Sequence, residues 1–379
     1  MKIQWRLAFL VVLSVLIYLT VSNYKNRVYD WDMPGYLACL YELEFPNSAE
    51  KVHQLTYSSI KKEASPLQYK DISGLVIPNK AIQFFEKNPK GLSEQIPYYK
   101  IKVGYNLVIL GLYKSGFSGP HSVLLVSCIF YFLSGLLLFY ILQQIFPQNY
   151  IIASVSTLVI VLLPTAKFMA KTPSPDMLGF LFLLLFVLAL FKKWNQWIVF
   201  LILLLTILIR PDYIIFALTY LLTVIFFRFI KENKKFDFNL VFQGILLTGI
   251  YIFILKYYSY PGWKDLFYDT FIERRPLISA QQANFSLHAY LEILFNKFIY
   301  FKKVSVSALL IFIFIFYFSK DFYVRLISFF LFANIYIKFL IFPDSASVRF
   351  FFGFIILLFL MLLYALSKKY NGFQLNKIA

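Results

Sequence analysis

The sequence predicts an all-α polytopic membrane protein, and three observations carry that prediction. Of its 379 residues, 60% are hydrophobic and only 15% charged, far from the balance of a soluble domain. Apolar runs recur along the chain, and a span needs roughly 20 such residues, or somewhat fewer when its flanks snorkel. The lysines and arginines behind a formal charge of +18 sit in short tracts between these runs. A basic balance also marks nucleic-acid binders, but those carry their charge on a solvated domain. Here membrane topology and anionic lipid account for it, so membrane lipids are expected partners and nucleic acid is not. Cys39 and Cys128 are the only cysteines, one in a polar loop and one in an apolar run. They support neither a disulfide framework nor a Cys-based metal site.

Taken in order, Met1 to Arg6 carries two positive charges ahead of an apolar run ending near Val21. No small-x-small cleavage pattern follows, which predicts a retained first helix with the N-terminus in the cytoplasm. Ten runs are expected to span: 7–22, 121–144, 150–169, 177–191, 196–210, 212–230, 238–256, 304–319, 322–342 and 348–366. Alternating sides then puts Lys2, Arg6, Lys192, Lys193, Arg228, Lys231, Lys234, Lys235, Lys320, Arg325, Lys368, Lys369 and Lys377 inside, against Glu232, Asp237 and Asp321. That is the positive-inside pattern. An even number of spans also leaves the short 367–379 tail in the cytoplasm, and residues 1–379 read as a single membrane domain in a plasma (inner) membrane.

Two long connections, 23–120 and 257–303, fall outside. In the first, Pro34 fits the opening turn of a helix running to about Glu44. Asn47-x-x-Glu50 reads as an N-cap with its partner at N3, ahead of a helix that Pro66 ends. Ile101, Tyr105, Val108, Ile109 and Leu112 recur at helical spacing, predicting a helix along the membrane interface before the second span. No internal repeat or low-complexity tract stands out.

Beyond the cytoplasmic set and the two loops, the remaining charges are Lys167, Lys171, Asp176, Arg210, Asp212, Lys338, Asp344 and Arg349. Each falls near an outer helix end and none near a midplane, where ionisable groups are costly. A transporter needs polar or broken-helix sites at the midplane, whereas an enzyme acting on a lipid-linked substrate needs its chemistry at one surface. The distribution matches the second.

Pro211 breaks the helix where Arg210 arrives at that face, so the guanidinium can meet a phosphate in bidentate fashion or serve as a snorkelling flank. Lys171 precedes the proline-rich turn Thr172 to Pro175, and Asp176 is placed to cap the following helix. Lys338 and Arg349 flank the turn from Pro343 to Ser347 and can reach the same anion or anchor headgroups. In Tyr29-Asp30-Trp31-Asp32 an extended backbone points both carboxylates to one side. The helix starting near Pro34 turns its positive end toward Asp32 and favours the ionised form. Such a carboxylate can act as a general base toward an acceptor hydroxyl; the alternative is a plain helix charge beside a solvated loop residue. A divalent cation shared by Asp30 and Asp32 lacks a third ligand, and no cofactor is called for.

The layout resembles the GT-C superfamily of membrane glycosyltransferases. The resemblance rests on the acidic Asp30-Trp31-Asp32 after the first helix, the juxtamembrane helices of the first loop, Ser174-Pro175-Asp176-Met177-Leu178-Gly179, and Arg210-Pro211-Asp212-Tyr213. It covers about residues 1–230. It implies transfer of a sugar from a polyprenyl-phosphate donor to a glycan, lipid or protein acceptor of the cell envelope. Asp32 or Asp30 would be the base or acceptor-orienting residue, and Arg210, with Lys171, would hold the donor phosphate, joined on position by Arg349 and Lys338. Many members carry a soluble domain after the last helix, whereas here about a dozen residues follow Ser367, so acceptor recognition is expected to fall to the two long loops. A glycan polymerase or ligase using a pyrophosphate carrier, leaning on Arg274 and Arg275, and a lipid-linked glycan transporter are the alternative readings.

Overall fold

The computed structural model describes residues 3–231, 237–344 and 348–373. Lys2, Glu232, Lys234, Lys235, Lys377 and positions 345–347 of the last expected outer turn lie outside the described residues. Within them every regular element is helical. Ile3–Lys25, Gly119–Ile145, Pro211–Lys231, Phe238–Tyr257, Phe322–Ile341 and Arg349–Lys369 are long and apolar enough to cross a membrane. Two bent pairs, Tyr150–Leu162 with Pro164–Lys171 (58°) and Leu287–Tyr300 with Lys302–Phe318 (67°), bring the total to as many as eight.

All ten expected apolar runs are therefore helical, but they are not equally long. Pro164 lacks an N–H and starts a new helix, bending the 150–169 run at Leu163. Asp176–Phe191 and Gln196–Ile209 have 16 and 14 residues. At about 1.5 Å per residue they reach about 24 and 21 Å, short of a hydrocarbon core of about 30 Å.

Gly119–Ile145 is the spine of the bundle. Ile3–Lys25, Tyr150–Leu162 and Asp176–Phe191 pack along it, and Asp176–Phe191 also meets Gln196–Ile209 and Arg349–Lys369. The last of these crossings is close because Gly353 has no side chain; a Cβ there would collide with Leu183. Rings of Phe186, Phe216, Tyr220, Phe330 and Phe354 fill the space between the later helices.

The first long loop folds onto one end of this bundle as seven helices: Asp32–Glu42, Ala49–Glu63, Pro66–Ile72, Lys80–Lys87, Pro89–Gln95, Pro97–Lys100 and Val103–Lys114. The second of them is capped by Ser48, whose hydroxyl accepts from Lys51 N at 3.3 Å. The expected cap, Asn47, thus lies one residue too early, because the first helical residue is Ala49. Ser65 and Gln68 form a reciprocal capping box at Pro66. Val103–Lys114 buries Tyr105 and Ile109 in a shared core with Met33, Tyr36 and Leu37, and with Leu178 and Ile209 of the bundle. The apolar spacing of that helix is answered by protein on this face.

Hydrogen bonds tie the start of the loop to the turn before Asp176, and that turn to Gly119–Ile145. Val28 N donates to Lys171 O (2.9 Å), and Ser127 Oγ to Thr172 O (2.6 Å). The second long segment contains Trp263–Phe271 and is closed by a buried knot. Arg275 donates to Asp269 through Nε (2.7 Å) and Nη2 (2.9 Å), to Asp265 (2.8 Å) and to Gln281 O (2.8 Å). Tyr98 OH donates to Asp269 at 2.7 Å, which joins the knot to the first loop.

The helix crossing at Gly353 can be tested directly. Gly353→Leu overpacks it and should lower stability by about 1–3 kcal/mol, read as a fall in thermal midpoint of the detergent-purified protein, whereas Gly249→Leu, where a Cβ meets nothing within 4 Å, should leave the midpoint in place.

Candidate active site

The polar residues that the fold brings together sit at helix ends. Asp32, Asp176 and Arg349 are the first residues of their helices. Arg210 immediately follows Ile209, and Lys338 lies in the last turn of Phe322–Ile341. Arg210 is extended (φ −142°, ψ 104°), as expected of the residue before a proline, and Pro211 opens a short turn carrying Asp212. The ends of five chain segments thereby meet on one face of the bundle.

Their charges alternate in a chain of ion pairs. Arg349 lies 3.8 Å from Asp30, 3.9 Å from Asp32 and 3.7 Å from Asp176. Asp176 pairs in turn with Arg210 Nη1; Arg210 Nε lies 3.3 Å from Asp212; and Asp212 pairs with Lys338. Four carboxylates thus share three cations. Asp176 is buried, its side chain 4% exposed, so its two arginines are what make its charge tolerable there. The sequence offered helix capping for Asp176; it does stand at a helix N-terminus, but its carboxylate also serves as the centre of the ion-pair chain. Arg349 Nε and Nη1 are buried without a hydrogen-bond partner.

This chain forms part of the wall of a cavity of about 740 Å³. Asp32, Asp176, Arg210, Asp212, Lys338 and Arg349 line it; Asp30 and Lys171 do not. Asp30 stands behind Asp32, with Oδ1 accepting from Trp31 N at 2.6 Å. Burial, and then the neighbouring Asp32 carboxylate, raise the Asp30 pKa, against the pull of Arg349. Lys171 contributes the carbonyl that anchors Val28. Among the described residues, no group of three or more His, Cys, Asp or Glu side chains is arranged to hold a metal ion. Asp30 and Asp32 converge on Arg349.

The first loop adds an aromatic face. Tyr99 OH donates to Asp32 Oδ1 at 3.3 Å, and Lys102 Nζ to Tyr36 OH at 2.7 Å. Lys102 lies 4.8 and 4.9 Å from the centroids of the Tyr36 and Tyr99 rings. Tyr99 can lie beside Asp32 because residue 35 is glycine: a Cβ there would fall on the Tyr99 ring. From the second loop come Tyr260, Trp263 and Arg274. Arg274 faces the cavity whereas Arg275 is closed in its knot, a difference that two adjacent arginines do not reveal in sequence. Lys102 escaped the sequence reading for the same reason. Two residues away, Lys100 pairs with Glu42 at 2.7 Å, and only the path of the Pro97–Lys100 turn separates their roles.

Two substitutions probe the ion-pair chain. Asp176→Asn leaves Arg210 and Arg349 short of their buried counter-ion and should destabilise by about 3–5 kcal/mol, seen as a large drop in thermal midpoint. Asp30 should behave in the opposite sense. Its folded pKa lies above its unfolded one, so its contribution is most favourable below the unfolded value of about 3.9 and is lost as pH rises through the folded value. Asp30→Asn should therefore raise the midpoint at pH 7, by a margin that closes as the pH falls toward about 4.

Comparisons with protein-family models, with curated proteins and with solved structures match nothing to this chain.

Proposed function

We propose that this chain is a membrane glycosyltransferase of GT-C type, transferring a sugar from a polyprenyl-phosphate donor to an acceptor hydroxyl at the extracytoplasmic face of a bacterial-type inner membrane. The observation that carries the reading is Asp32: of the two carboxylates in the acidic motif it is the one that opens onto the cavity, its side chain 32% exposed, with cations in the same wall. In this reading the two short helices count with the longer ones as ten spans, both termini are cytoplasmic, and the helix ends bearing the ion-pair chain face outward.

The chemistry is a single displacement. An acceptor oxygen attacks the anomeric carbon, and the bond from that carbon to the phosphate oxygen breaks with its electron pair passing to the phosphate. The acceptor's proton goes to Asp32, which acts as general base. Cations of the cavity stabilise the departing phosphate. One displacement inverts the anomeric centre. Tyr99 OH, donating to Asp32 Oδ1, orients the carboxylate, and the proton goes to Oδ2, which lies 3.9 Å from Arg349 Nη2 without a hydrogen bond to it. A polymerase or ligase leaning on both Arg274 and Arg275 fits less well, since Arg275 is engaged by Asp265, Asp269 and Gln281.

The direct test incubates the purified protein with polyprenyl-phosphate sugars and candidate acceptors. Asp32→Asn should lower kcat by about 10²–10⁴, and full transfer by an Asp30→Asn/Asp32→Asn double variant would sink the mechanism. Sidedness has its own test. Both native cysteines are buried, so a Lys62→Cys variant carries one exposed thiol, and a membrane-impermeant maleimide should label it in intact cells. Labelling only after the membrane is opened would reverse the assignment of sides.

A further inference from the structure

The cations that line the cavity fall into two sets. Arg210, Lys338 and Arg349 are matched by Asp30, Asp32, Asp176 and Asp212 within the ion-pair chain, leaving that chain without surplus positive charge. Lys102, Lys256 and Arg274 line the same cavity, and among the described residues none of the three has a carboxylate partner. They come from the loop side: Lys102 between two helices of the first loop, Arg274 just after Trp263–Phe271, and Lys256 in the last turn of Phe238–Tyr257.

We propose that the anionic group of the ligand binds at Lys102 and Arg274, with Lys256 at the exposed rim, and that Arg210, Lys338 and Arg349 serve to hold the carboxylates in place. This deepens the reading above by naming where its phosphate sits, and it rests on that reading only for the identity of the phosphate as a sugar donor's.

These loop-side cations carry unmet hydrogen-bonding demand. An ammonium has three N–H donors. Lys102 gives one to Tyr36 OH, and its remaining surroundings are the Tyr36 and Tyr99 rings, with Asp32, Asp176, Arg210 and Cys39 as the other titratable neighbours. Burial, against the pull of Asp32 and Asp176, lowers its pKa from the ordinary 10.5 to about 8, so an arriving anion meets an ammonium that no carboxylate pairs directly. Arg274 Cζ lies 5.8 Å from the Phe85 and Tyr98 ring centroids, and among the described residues no carboxylate pairs with it, which leaves guanidinium donors for oxygen ligands. By contrast, an anion placed at Arg210 or Lys338 would have to displace Asp176 or Asp212, and one at Arg349, whose Nε and Nη1 have no hydrogen-bond partner, would sit among three carboxylates 3.7 to 3.9 Å from that guanidinium.

The test measures binding, without sugar transfer, by calorimetry on the detergent-solubilised full chain, with folding followed by thermal midpoint. Farnesyl phosphate and inorganic phosphate are the probes. Lys102→Gln and Arg274→Gln should each weaken binding about tenfold or more, the scale of one charge-assisted hydrogen bond. Lys338→Gln should weaken it less than either. Wild-type affinity should fall as the pH rises through about 8, and Lys102→Arg should bind without that fall. If both probes bind, the site recognises the phosphate group itself; if only farnesyl phosphate binds, it recognises a lipid-borne phosphate. Wild-type affinity in folded Lys102→Gln and Arg274→Gln, an unchanged pH profile in Lys102→Arg, or no binding of either probe would overturn the proposal. Intact phosphate binding without any sugar transfer would instead sink the transferase reading and leave this site standing.

Discussion

Asp176 and its two arginines are the contact on which the rest of the site depends. Apolar side chains can bring helices together, but hydrophobic packing is non-directional and does not fix which helix ends meet or at what height. A buried carboxylate does. It is tolerable only when oppositely charged donors reach it, so the start of Asp176–Phe191, the end of Gln196–Ile209 and the start of Arg349–Lys369 are brought to one level. Alternation carries the same constraint outward, through Arg349 to Asp30 and Asp32 and through Arg210 to Asp212 and Lys338. Registry of this kind is the use of buried ion pairs with the best physical support.

In the proposed reading the same arrangement divides the labour of the site. One wall of the cavity is electrostatically closed, its cations matched by carboxylates, while the loop wall carries cations that are not. A carboxylate that must accept a proton benefits from being held by matched charge, since its position and ionisation then do not depend on the ligand. An anion-binding group benefits from the opposite condition. Asp30, half-buried beside a like charge, is a local cost to stability, and such costs collect at functional sites.

Much of the fold was legible in the chain. The apolar runs fell where helices are, Pro34 lies in the first turn of a helix, the helix from Ala49 ends before Pro66, and Arg210, Lys338 and Arg349 could be picked out because few charges remained once the basic tracts and the two loops were set aside. What failed was local and has local causes. Asn47 and Ser48 are both good caps, and only the helix start decides between them. Similar apolar runs also conceal unequal helices: Pro164 bends one, and Asn195 and Arg210 bracket a helix of 14 residues.

Composition and periodicity by themselves determined that this is a helical, membrane-type chain with its rare charges at helix ends, because hydrophobicity and its spacing are properties of sequence neighbours. Which charges meet was decided only by the tertiary structure. Asp176 and Arg210 are 34 residues apart, Asp32 and Tyr99 are 67 apart, and Arg349 reaches three carboxylates from two separate places in the chain. Adjacent Arg274 and Arg275, alike in sequence, part company because one side chain turns into a knot of aspartates and the other toward an open cavity. Pairing in space, with the burial that sets its energy, is the physical quantity that a list of residues does not contain.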